Sequence, residues 1–140
     1  MAPWLRTLLR LGLAAFLAVA GVGHFVATDA FLAQVPSWMP LARPVVWVSG
    51  AIELALAAAL LLVRSAGSRV RVGRSVAVFL LLVFPGNIAQ ALEGNAAFGL
   101  DTAAARWTRL ALQPVLIAWA LAATDAWPAR WRVAHRRSAR

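Results

Sequence analysis

Cysteine is absent from the 140 residues. That excludes disulfides, thiolate metal sites and iron–sulfur clusters together. Lysine is absent too, so all 14 basic residues are arginine, against 5 acidic ones. Histidine occurs only as His24 and His135. His135 sits in a basic tail, so a two-histidine haem site inside a helical core is excluded. The chain also lacks a Ser–His–Asp arrangement, a phosphate-cradling glycine loop and a metal-ligand cluster, which argues against an enzyme of the soluble type.

What the chain has instead is apolar surface. Hydrophobic residues make up 62% of it and its mean hydropathy is +0.75. A small soluble domain leaves too much of its area wet to hide that fraction, so lipid has to cover the excess. A bilayer core takes about 20 mostly apolar residues per helix. Four stretches reach that length: about 8–27, 45–63, 75–92 and 109–127. The expected fold is therefore all-α, a polytopic membrane protein with a four-transmembrane-helix bundle in a single domain over 1–140, ending in a basic cytoplasmic tail, 128–140. The link 28–44 carries Pro36, Pro40 and Pro44 and is not expected to form one helix.

The net charge of +9 does not point to nucleic acid, because the arginines flank apolar runs and no recognition motif accompanies them. They set orientation instead. Arg6 and Arg10, the segment Arg64 to Arg74, and the tail Arg130 to Arg140 place eleven arginines on one side; Arg43, Arg106 and Arg109 place three on the other. The positive-inside rule then puts both termini in the cytoplasm. Trp38, Trp47 and Trp107 fall toward the outer interface, and Trp4, Trp127 and Trp131 toward the inner one. The N-terminus also resembles a signal peptide, with Ala18-Val19-Ala20 as a cleavage site, but its apolar run continues past Ala20, which favours retention.

Polar residues inside these spans gather in the outer half. His24 is near the end of the first span. Glu53 lies eight residues beyond Val45, roughly 12 Å below the outer boundary at about 1.5 Å per residue. Asn87 and Gln90 share a face of the third span, and Arg109 and Gln113 share a face of the fourth. A charge at the bilayer centre costs about 2.5–3.5 kcal/mol on insertion scales. Glu53 must therefore face the bundle interior, take a proton or pair with a cation, and Arg109 is the best-placed cation, with His24 second. His24, Glu53, Asn87, Gln90, Arg109 and Gln113 are the candidate ligand-binding residues; the competing reading of each is structural. In that reading His24 and Arg109 are interfacial, Asn87 and Gln113 satisfy backbone freed by Pro85 and Pro114, and the Glu53 pair fixes helix register.

At these residues the sequence resembles the DoxX family of small four-helix membrane proteins. The matching strings are Gly23-His24-Phe25, Val35-Pro36-Ser37-Trp38-Met39-Pro40, Ser49-Gly50-Ala51-Ile52-Glu53, Phe84-Pro85-Gly86-Asn87 and Arg109-Leu110-Ala111-Leu112-Gln113-Pro114. The family commonly has Phe-Pro-Ala-Asn in the fourth string, so Gly86 is a departure that adds flexibility. The resemblance implies a protein of the bacterial cytoplasmic membrane. Relatives include the small subunit of a thiosulfate:quinone oxidoreductase and proteins associated with redox complexes and oxidative stress. It carries over no catalytic residue.

Three functions follow as expectations. The first is a redox-associated subunit holding a quinone-like molecule in the outer half of the bundle, with a redox partner protein supplying electrons because the chain has no redox centre of its own. The second is a non-enzymatic scaffold or stress-associated interaction protein, in which the polar cluster fixes the helices. The third, a transporter, requires a homo-oligomer, since one short bundle leaves little room for a path.

Overall fold

A computed structural model describes residues 1–99 and 101–128. The chain is all-helical, with 79% helix and no strand among the described residues. Its elements are α1 (Pro3–Val26), α2 (Thr28–Leu32), α3 (Ala42–Leu62), α4 (Ala66–Glu93) and α5 (Ala103–Thr124). The basic tail, with Trp131 and His135, lies outside the described residues apart from its first position, Pro128.

Local chemistry sets the helix ends. Pro3 opens α1, where a missing N–H is no loss. Thr28 donates its hydroxyl to the His24 carbonyl at 2.8 Å, satisfying one of the orphan acceptors at the end of α1. Ser65 caps α4 by accepting from the Ser68 amide, and Thr102 caps α5 by accepting from the Ala105 amide. Pro85 and Pro114 lie inside α4 and α5, and neither ends its helix.

The helices differ from the apolar runs at both ends. α4 begins at Ala66, so Arg69, Arg71 and Arg74 are helical and only Arg64 remains in the α3–α4 link. α5 begins at Ala103 and stops at Thr124, short of 127, because Asp125 takes a left-handed conformation (φ 57°). Hydropathy marks what oil tolerates; caps mark where hydrogen bonding stops. The 28–44 stretch is not one helix, as expected: the short α2 opens it, and α3 already begins at Ala42.

α1, α3 and α4 are long and apolar enough to cross a membrane. Their 24, 21 and 28 residues span about 36, 32 and 42 Å at 1.5 Å per residue. Much of their side-chain surface is turned outward: Val19, Val26, Leu62 and Leu82 are each more than 70% exposed.

α1 packs along α3, α4 along α5, and α1 also lies against α5, while α3 and α4 touch less. One end of the bundle, the end with the short α3–α4 link, is filled. There Leu13 and Leu17 of α1, Leu60 of α3, Val76 of α4 and Ala120 and Ala123 of α5 form a core without exposed surface. The other end is covered by the α1–α3 link and is hollow.

Candidate functional site

The site begins with a glycine crossing. A Cβ on Gly50 would lie 2.5 Å from His24 Cβ and 2.9 Å from the Gly21 carbonyl oxygen, so α1 and α3 approach there more closely than any larger residue permits. His24 follows Gly21 by three residues and Glu53 follows Gly50 by three. The helices run antiparallel, with His24 beside Gly50 and Leu54 beside Gly21, and the His24 and Glu53 side chains meet at the crossing.

His24 Nδ1 is 2.9 Å from the Ala20 carbonyl oxygen and 3.2 Å from Glu53 Oε2. A carbonyl only accepts, so Nδ1 carries the hydrogen and Nε2 is the basic nitrogen of the neutral ring. The single Nδ1 hydrogen goes to Ala20, the shorter contact. Glu53 Oε2 is buried and receives no hydrogen bond, although it sits within ion-pair distance of the ring. Both residues are buried, at 8% exposure each. Phe31 stacks on the imidazole, with centroids 3.8 Å apart.

Arg109 does not meet Glu53, contrary to the sequence expectation. Depth explains this. Glu53 is eleven residues into α3 and Arg109 six into α5, or about 16 and 9 Å along their helices. At its own level Arg109 donates to Gln90 Oε1 at 2.5 Å and to Gln34 Oε1 at 2.6 Å. Its guanidinium also lies 5.9 Å from the Phe98 ring centre, and Phe98 meets Phe31 edge to face at 4.7 Å. A run of rings therefore joins Arg109 to His24.

Deeper, Asn87 Nδ2 donates to Gln113 Oε1 at 3.0 Å, and Gln113 Nε2 donates to the Leu80 carbonyl at 2.7 Å, one residue before the carbonyl that Pro85 leaves without its usual helical donor. Gln113 thus reaches α4 backbone from the neighbouring helix, but at Leu80 and not at the Leu81 carbonyl that Pro85 frees.

These groups surround a cavity of about 680 Å³. His24, Glu53, Asn87, Arg109 and Gln113 line it; Gln90 stands behind Arg109 and does not. The remaining wall is mainly apolar, including Phe16, Ile52, Val83 and Leu116, with Trp38 and Met39 of the link at its cover.

Gln34, Phe31 and Phe98 belong to the site and escape a reading of the sequence, because irregular segments have no periodicity to place them and the five-residue α2 is too short to show one. Gly86 is the one available signal. A Cβ there would lie 2.7 Å from the Gln34 carbonyl oxygen, so the departure at Gly86 lets the link settle onto α4. Glu93 then holds the link by accepting from the Ser37 amide and hydroxyl at 3.2 and 3.1 Å, and Asn95 donates to the Ala33 carbonyl at 3.2 Å. Gln34 Nε2 is buried in this cover without a hydrogen-bond partner.

A family model described as a domain of unknown function, DUF8561, matches residues 13–124. The matched span contains all six expected site residues. No curated protein and no solved structure matches the chain.

Proposed function

Because the chain belongs to the DUF8561 family, whose description assigns no role, we propose one from the site itself: the protein crosses the membrane four times and binds a quinone-like molecule in the hollow half of its bundle, as a redox-associated subunit of the DoxX type. α5 supplies the fourth span. Its 22 residues reach about 33 Å, enough for the roughly 30 Å hydrocarbon core, and it lies along α4 and α1. In this reading both termini face the cytoplasm of a bacterial cell and the cavity lies in the outer leaflet, with the arginine asymmetry in support of the orientation.

The observation that carries the binding reading is an apolar cavity with His24, Glu53, Asn87, Arg109 and Gln113 on its wall. Glu53 Oε2 is a buried acceptor without a donor, and Gln34 Nε2 is a buried donor without an acceptor. Unmade hydrogen bonds of this kind are costly in a low-dielectric interior. A quinone-like ring offers carbonyl and hydroxyl groups to the polar side chains on the cavity wall, Glu53 and Gln34 among them. The cavity volume of about 680 Å³ is in the range of small-molecule sites, about 300–1,000 Å³, and its mostly apolar wall suits a lipophilic ring. Electrons would pass to and from a partner protein, while Glu53 and the basic Nε2 of His24 hold or release the ring's proton.

The scaffold reading has one observation in its favour. Asn87, Gln113 and the Leu80 carbonyl satisfy one another across α4 and α5, as a purely structural network does. Extraction of the molecules that co-purify with the membrane-solubilised protein, followed by quinone binding in wild type and Glu53→Gln, separates the two. Quinone recovered from wild type and weakened in the variant supports the binding reading. Absence of quinone and of binding in both forms leaves the scaffold.

A further inference from the structure

The filled end of the bundle carries a second site, unrelated to the polar-lined cavity. A recess of about 130 Å³ is lined by Pro3, Arg6, Thr7, Arg10, Arg69 and Ala123. It lies where α1, α4 and α5 come together. At about 30 Å³ per water molecule it holds roughly four waters, room for a tetrahedral oxyanion and for little more.

Three arginines, Arg6, Arg10 and Arg69, line the recess, and no Asp or Glu does. Arg6 Nη1 lies 3.6 Å from Asp125 Oδ2 outside it, and Arg10 Nη1 donates to the Val63 carbonyl at 3.2 Å. Neither Arg10 nor Arg69 has a carboxylate partner among the described residues. Arg6 Nε is buried with no hydrogen-bond partner. Half-buried like charges repel unless an anion sits among them, and forked guanidinium donors match phosphate oxygens in pairs.

We infer that Arg6, Arg10 and Arg69 form a phosphate-binding site between α1 and α4. Trp4 and the apolar flanks of α1 put this recess at the level of a membrane interface, where anionic phospholipid presents phosphates to basic pockets between helices. Free phosphate has the same chemistry and is the other source.

The test is native mass spectrometry of the full chain titrated with phosphatidylglycerol, with phosphatidylcholine or with inorganic phosphate, in wild type, Arg69→Gln, Arg69→Lys and Arg71→Gln. Arg71 is exposed on the same helix and does not line the recess. Saturable phosphatidylglycerol binding is expected in wild type and Arg71→Gln. At least a tenfold loss is expected in Arg69→Gln, with partial recovery in Arg69→Lys. Competition by millimolar inorganic phosphate supports the site with free phosphate as its source; lipid binding that phosphate does not displace supports it with the headgroup as its source. Equal losses in Arg69→Gln and Arg71→Gln, or no saturable binding of lipid or phosphate in wild type, overturn the inference. A helical circular-dichroism spectrum unchanged between variants excludes misfolding as the cause.

Discussion

Glu53 keeps its carboxylate 3.2 Å from His24 Nδ1 without receiving that nitrogen's hydrogen, which the Ala20 carbonyl takes at 2.9 Å. The pair is close enough to share charge and is not tied by a directed hydrogen bond. One carboxylate oxygen therefore remains buried and unmatched beside an apolar cavity. The first prediction follows from that imbalance.

Replacing Glu53 by Gln removes a charge from a buried position while keeping its shape. If the carboxylate serves a ligand, the variant keeps or gains thermal stability in detergent, because no native hydrogen bond to Oε2 is lost, while quinone affinity falls at least tenfold, about 1.4 kcal/mol. If the pair serves only to fix helix register, stability falls instead. Thermal unfolding measured beside binding reads both quantities.

Gly50→Ala tests the crossing that creates the pair. The added methyl would press on His24 Cβ at 2.5 Å and on the Gly21 carbonyl at 2.9 Å. Overpacking of this kind costs about 1–3 kcal/mol, more than the roughly 1 kcal/mol that alanine gains in helix propensity. A lower unfolding midpoint together with weaker quinone binding is expected; an unchanged midpoint means that α1 and α3 do not cross there.

Asn87 and Gln113 test the polar network of α4 and α5. Gln113→Leu removes the side-chain donor to the Leu80 carbonyl and the acceptor of the Asn87 amide, a loss of about 1–3 kcal/mol. A double-mutant cycle with Asn87→Leu should give a coupling energy of about 0.5–3 kcal/mol for residues in contact. Additive effects in the cycle mean that the two side chains do not bond.

How much of this was legible in the sequence depends on the element. The polar residues of α1, α3, α4 and α5 announced themselves because any Glu, Asn or Gln in an apolar run stands out, and five of the six expected residues line one cavity. Their pairing was less legible. Arg109 attracts attention as the opposite charge to Glu53, yet helix depth gives it Gln90 and Gln34 instead. His24 is legible as the second-choice cation from its place near the outer end of the first span, and the structure makes it the neighbour of Glu53. Gln34 and Phe98 sit in irregular segments, where neither the helical period nor hydropathy assigns a direction, so the cover of the cavity needed coordinates.

Topology offers a clean test because the chain has no cysteine. Gly67 has nothing within 4 Å of an added Cβ, and Ala96 is exposed at the opposite end of α4. In intact cells a membrane-impermeant thiol reagent should label Ala96→Cys and spare Gly67→Cys. Labelling of Gly67→Cys alone reverses the orientation.

The most direct measurement is quinone titration of wild type against Ser49→Phe, which places a ring into the cavity at a lining position while leaving every hydrogen bond of His24, Arg109 and Gln113 in place. Saturable binding in wild type, followed by quenching of tryptophan fluorescence, and its loss in a folded Ser49→Phe is the expected result. Binding of equal strength in the two proteins would place the ligand elsewhere and contradict the assignment of this cavity.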